Sequence, residues 1–103
     1  MRINIKPLSV NKAWQGKRFK TNDYKAFEEE CLYRLPKMEI KAPKELYLRF
    51  GVSNMRMDWD NGVKPFQDIL QKKYDFDDCS IVKATVEKVK VKKGEEFIEF
   101  SFS

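Results

Sequence analysis

At 103 residues with 42% hydrophobic side chains, the chain has material for one modest core and too little for a second. Its net charge of +5 is unevenly placed, six Lys or Arg and no acid falling in residues 1–22, which makes a polyanion the first partner to consider. Histidine is absent, which excludes imidazole as general base and as metal ligand and leaves any chemistry to carboxylates, lysines and hydroxyls.

Ile3 and Ile5 alternate with Arg2, Asn4 and Lys6, a short first strand that Pro7 ends by removing a backbone donor. From Ser9 to Lys20 no period is visible and Gly16 breaks any helix. Lys12, Lys17, Arg18 and Lys20 are interleaved there with Trp14 and Phe19, which reads as a basic loop. Thr21, Asn22 and Asp23 are capping residues for a helix whose Tyr24, Phe27, Cys31 and Leu35 share one face and which Pro36 stops. Glu28 to Glu30 then lie largely on its outer side. Leu46, Leu48, Phe50 and Val52 alternate with Tyr47, Arg49, Gly51 and Ser53, the cleanest period-two stretch of the chain and a predicted strand.

A second helix is expected to open between Asn61 and Pro65, with Asn as cap, and to carry Phe66, Ile69, Leu70 and Tyr74 inward. Val82, Ala84 and Val86 alternate, as do Val89 and Val91, but the phase slips at Glu87 and Lys88, which predicts a bulge or break. Lys92 to Glu95 supply a turn, after which Ile98, Phe100 and Phe102 point one way, so the chain is expected to close on a hairpin. The order β-α-β-α-β-β implies an α/β (α+β) fold: a single small domain over residues 1–103, a mixed sheet of about four strands with two helices packed on it.

Cys31 and Cys79 are neither in a CxxC spacing nor numerous enough for a disulfide framework, and both read as small buried hydrophobes in a reducing, cytoplasmic setting. The N-terminus lacks the apolar stretch of a signal peptide and no run is long enough to span a bilayer, so no membrane partner is expected.

All six acids between Asp58 and Asp78 are aspartates: Asp58, Asp60, Asp68, Asp75, Asp77 and Asp78. Short, stiff carboxylates without histidine suit Mg²⁺ or Mn²⁺, hard cations that prefer oxygen. If Asp58-Trp59-Asp60 is extended, its two carboxylates face one side and could share one ion or flank two. Each signal taken alone has a plainer explanation. Aspartates cap helices and suit their dipole, Lys64 four residues before Asp68 makes an ordinary helical ion pair, and Asp77-Asp78 suits a solvated turn as well as a cation.

The combination is more specific: Asp58-x-Asp60-Asn61-x-x-Lys64, then Asp68-Ile69-Leu70, then Asp77-Asp78 before Ile81, with Pro7-Leu8-Ser9-Val10-Asn11 and an aromatic Trp14 after the first strand. This pattern resembles the RusA family of Holliday junction resolvases over nearly the whole chain. The resemblance implies a RusA-like fold and a metal-dependent endodeoxyribonuclease that resolves four-way junctions by paired phosphodiester hydrolysis in bacterial or phage recombination and repair. It implies Asp58, Asp60 and Asp78 as metal-binding catalytic aspartates, Asp77 as an acidic neighbour at the metal, Lys64 as the positively charged residue needed for cleavage rather than for binding, and Asp68 as mainly structural. Mg²⁺, with Mn²⁺ as substitute, is the implied cofactor, and a homodimer the implied assembly, its twofold axis matching the two equivalent strands to be cut.

Asn11, Lys12, Trp14, Lys17, Arg18, Lys20 and Arg56 are the expected DNA contacts, joined by the row Lys88, Lys90, Lys92, with Trp14, Phe19 or Tyr24 available to stack on unpaired bases. Pro65 directly after Lys64, and Met55 and Met57 around Arg56, depart from the family pattern. The second helix, about 15 Å long, separates Asp60 from Asp78, so a site within one chain and a site shared across a dimer both remain open. The alternatives are a non-catalytic nucleic-acid-binding module, a metal nuclease acting on flaps or forks, and, last, a protein-interaction subunit.

Overall fold

The computed structural model describes residues 1–8 and 21–103, together with the backbone of Trp14–Gln15 and Phe19–Lys20. The elements follow the expected order: β1 (Arg2–Ile3), β2 (Trp14–Gln15), β3 (Phe19–Lys20), α1 (Asn22–Arg34), β4 (Glu45–Val52), α2 (Val63–Tyr74), a 3₁₀ turn (Asp78–Ser80), β5 (Lys83–Lys90) and β6 (Phe97–Phe102). Four strands form one mixed sheet in the order β1-β6-β4-β5, in which only β4 and β5 run parallel. The fold is therefore α+β, with two helices and a four-stranded sheet, as the periodicities imply. A second ladder pairs Trp14 with Lys20 and Gln15 with Phe19. It falls in the stretch read as a basic loop, where strands of two residues are too short to display a period.

β4 is the centre of the sheet because its apolar alternation is strictest. Leu46, Leu48, Phe50 and Val52 are buried on one side, where Ile98 and Phe100 of β6 extend the same face. Against that face α1 lays Phe27, Cys31 and Leu35, and α2 lays Phe66, Ile69, Leu70 and Tyr74. Phe66 and Phe100 meet edge to face with centroids 5.7 Å apart. Burial of each such side chain contributes about 1.5–3 kcal/mol, so this single layered contact supplies the core. The helices are fastened to one another by Tyr24, whose hydroxyl donates to the Pro65 carbonyl at 3.4 Å, and by Lys72, which pairs with Glu28 at 3.1 Å. Thr21 caps α1 as expected, accepting from the Tyr24 N–H at 3.1 Å.

Four expectations are corrected. Cys79, unlike Cys31, is exposed rather than buried, because the 3₁₀ turn Asp78–Ser80 that carries it has no buried residue. The chain does not close on a hairpin: β4 lies between β5 and β6, and the connection Val91–Glu96 crosses its end. The parallel partner wins because β5 arrives from α2 as a crossover, leaving the antiparallel edge of β4 to β6. β5 has neither bulge nor break, pairing with β4 in register from Lys83 to Lys90. Its hydrophobic phase slips because it is an edge strand, so that Lys88 takes the helix-side position and spends its ammonium on the loop above, while Val89 turns to the other face opposite Gly51. Finally, Gly62 rather than Asn61 caps α2, with no side-chain hydrogen bond. A Cβ there would press on the Phe50 ring at 3.2 Å, so the turn enters α2 where only a glycine fits without adjustment.

The other face of the sheet is polar. Tyr47 donates to Glu87 at 3.3 Å, Arg49 lies between Glu87 and Glu99, and the Arg2 guanidinium stacks over Phe97 at 3.9 Å.

Candidate active site

The acidic turn begins where β4 runs out. Asn54 accepts from the Arg56 N–H at 3.0 Å through its side chain, and its carbonyl accepts from Met57. Farther on, the Asp58 carbonyl accepts from the Asn61 N–H and the Asp60 carbonyl from the Val63 N–H, both at 3.1 Å. These backbone turns coil the segment into α2 and leave the side chains of Asp58, Trp59 and Asp60 exposed, Trp59 by 58%. Lys88 reaches up from β5 and donates to the carbonyls of both Met55 and Met57 at 2.7 Å. The turn is therefore held from below by a charge-assisted pair of hydrogen bonds, the stronger kind.

α2 carries the next candidates. Lys64 is exposed and its ammonium lies 2.9 Å from Asp68, one helical turn on. Gln67 donates to the Asp78 carboxylate at 3.1 Å. Asp78 opens the 3₁₀ turn, and Asp77 caps it by accepting from the Cys79 N–H at 3.0 Å. That backbone hydrogen bond holds the Asp77 carboxyl below the usual carboxylate range. The Ser80 hydroxyl donates to the Pro43 carbonyl at 2.6 Å, which anchors this turn to the segment leading into β4.

Of the residues singled out from the sequence, the structure ties Asp78 to α2 through Gln67, and α2 continues directly from the turn bearing Asp58 and Asp60. Lys64 sits in the pair with Asp68 that its spacing allows. Arg56 is exposed on the acidic turn. Asn11, Lys12, Lys17 and Arg18 lie outside the described residues, as do the side chains of Trp14, Phe19 and Lys20. Lys88, expected at a phosphate, is instead occupied with the loop carbonyls, whereas Lys90 and Lys92 are exposed. Tyr24, expected as a stacking aromatic, is fully buried between the helices.

The donors fit a hard dication in kind, being acceptor-only carboxylates with no imidazole among them. Among the described residues no three Asp, Glu or Cys side chains stand close enough to hold an ion by themselves. Mg²⁺ ordinarily takes one or two carboxylates and completes its shell with water and substrate phosphates, and the exposed Asp58 and Asp60 suit that division.

The roles of two residues of the site escaped sequence reasoning. Gln67 gives no signal beyond its place on α2, because its partner is eleven residues away across a turn. Lys88 does leave one: it is the point at which the phase of β5 slips, and a lysine taking an apolar position in a strand is a lysine with a partner. A protein-family model described as Endodeoxyribonuclease RusA matches residues 8–100. No curated protein sequence matches the chain.

Proposed function

The chain belongs to the RusA family of endodeoxyribonucleases, and from that premise we propose that it cuts DNA at Holliday junctions by paired, metal-dependent hydrolysis on the turn of Asp58 and Asp60 together with Asp78. The observation that supports the reading is that one helix is joined to both acidic turns: α2 starts from the first, and its Gln67 grips the carboxylate of the second. A bound Mg²⁺ or Mn²⁺ would supply a water activated near neutral pH and offset charge on the phosphoryl oxygens. Asp58, Asp60 and Asp78 would hold it, with Asp77 beside them. Gln67 fixes the direction of Asp78. Lys64, exposed at the first turn of α2, leaves Asp68 to stabilise the negative charge that develops on the phosphate. Arg56, Lys90 and Lys92, with the basic stretch Asn11 to Lys20, bind the backbone.

A homodimer would present two such sites to the two equivalent strands of a junction. Among the described residues no helix is long and apolar enough to cross a membrane. The setting we propose is cytoplasmic, in a bacterium or phage, with branched DNA as the partner.

The test is cleavage of a labelled four-way junction beside matched duplex and forked DNA, with Mg²⁺ or EDTA, by the wild type and by Asp60→Asn. Symmetric metal-dependent nicks confined to the junction, lost in a variant that still binds it, are expected. Binding without cutting in any metal would make the protein a non-catalytic DNA-binding module, and cutting of forks in preference to junctions a flap or fork nuclease.

A further inference from the structure

A cavity of about 610 Å³ opens beside the acidic turn, at the end of β4, within the size range of small-molecule sites, about 300–1,000 Å³. One wall is the turn itself, through Asn54, Arg56 and Asn61; the others are Lys6 after β1, Asp23 in the first turn of α1, and Glu96 before β6. Leu8, Val52 and Met57 add apolar surface to the lining. Among the described lining residues two cations thus stand against two carboxylates, and much of the rest is apolar or uncharged. The Glu96 carboxylate accepts from the Ser53 hydroxyl at 3.0 Å and from the Gly94 N–H at 2.7 Å, so it is fixed in place as an acceptor. The two asparagines offer donors and acceptors on the same wall. A flat, uncharged group with an apolar face and a hydrogen-bonding edge matches such a lining.

We propose that this cavity receives a single nucleobase, unstacked at the branch point and carrying an exocyclic amino group that meets the carboxylate wall. The inference rests on the nuclease reading for its substrate. It deepens that reading by naming the part of the DNA held next to the acidic turn. Bases at a branch are cheaper to unstack than bases within a duplex. A base held there would set the phosphate of its own nucleotide beside Asp58 and Asp60, so the cavity positions the strand and selects where it is cut.

The experiment uses the full chain and a four-way junction in EDTA, where nothing is cut. 2-Aminopurine, a fluorescent base that brightens when it leaves the stack, is placed singly at each nucleotide around the branch. Emission is expected to rise on binding at one position and its symmetry mate, with no rise in duplex of the same sequence. An abasic site at that position should weaken binding about tenfold. Ala26, exposed on α1 and lining the cavity, provides the block: Ala26→Phe fills the space from the solvent side. It is expected to abolish the rise and to bind intact and abasic junctions alike.

A bound junction that brightens nowhere overturns the proposal, as does a rise that survives Ala26→Phe in a protein of unchanged melting temperature. The abasic scan on the wild type decides the matter if that variant does not fold. Cutting without brightening sinks the cavity and spares the nuclease, whereas brightening without cutting in any metal does the reverse.

Discussion

Gln67 decides where the third carboxylate points, and its single hydrogen bond to Asp78 makes it the most informative side chain to remove. Partners that orient a metal ligand are worth about 10–100-fold in affinity or activity. Gln67→Ala is therefore expected to lower the nicking rate by about that factor and to raise the Mg²⁺ concentration needed for half-maximal cutting. An unchanged metal-dependence curve would show that the bond only packs α2 against the 3₁₀ turn. Lys64 offers a second choice between roles. Its exposed pair with Asp68 stabilises the helix by only about 0.2–0.5 kcal/mol, so Lys64→Ala should fold normally, bind junctions and cut them slowly. Asp68→Asn, which frees the ammonium, should cut at least as fast as the wild type. If both variants cut normally, the lysine is only a helix-surface charge.

At the level of elements, the acidic turn depends on the strand beneath it. Lys88 joins β5 to the carbonyls of Met55 and Met57, and hydrogen bonds from a charged donor contribute about 1.5–3 kcal/mol where they are shielded from water, less at a half-exposed site. Lys88→Ala is expected to destabilise the fold by about 1–2 kcal/mol, to expose residues 54–62 to limited proteolysis, and to slow cutting more than it weakens DNA binding. Lys90→Ala, two residues on and exposed, should do the opposite, weakening binding in a salt-dependent way and leaving the turn resistant to protease. Equal effects of the two would mean that Lys88 acts as one more phosphate contact.

For the molecule as a whole, the buried helix interface sets the alkaline limit of stability. Burial, and then the nearby charge of Glu30, push the Cys31 thiol up from its ordinary value of 9.0 to about 12. Burial and Asp68 move the Tyr24 phenol upward as well. Both groups stay protonated in the folded chain while the unfolded chain releases its protons. Stability is then insensitive to these groups below pH 9.0 and falls as pH rises from there toward about 12. Urea midpoints measured from pH 8 upward, roughly one pH unit apart, should decline in the wild type and decline less steeply in Cys31→Ala. Parallel slopes would mean that the thiol ionises as readily in the folded state as in the unfolded one.

Much of this protein is written along the chain. The buried face of β4, the inward stripes of both helices, the Thr21 cap and the run of aspartates that resembles a known family are all local patterns, in which each residue's neighbours in sequence decide its environment. The partners of β4 were not legible, because β5 and β6 show similar alternation and only the crossover through α2 determines that one runs parallel to β4 and the other antiparallel. The slip at Glu87 and Lys88 was visible but not interpretable until β5 proved to be an edge strand with a loop above it. The same holds for the site: the types of the carboxylates follow from their order in the sequence, whereas the grip of Gln67 on Asp78, the support of the acidic turn by Lys88 and the cavity beside it join residues far apart in the chain. Such contacts are set by packing, which depends on every element at once and leaves no local period to read.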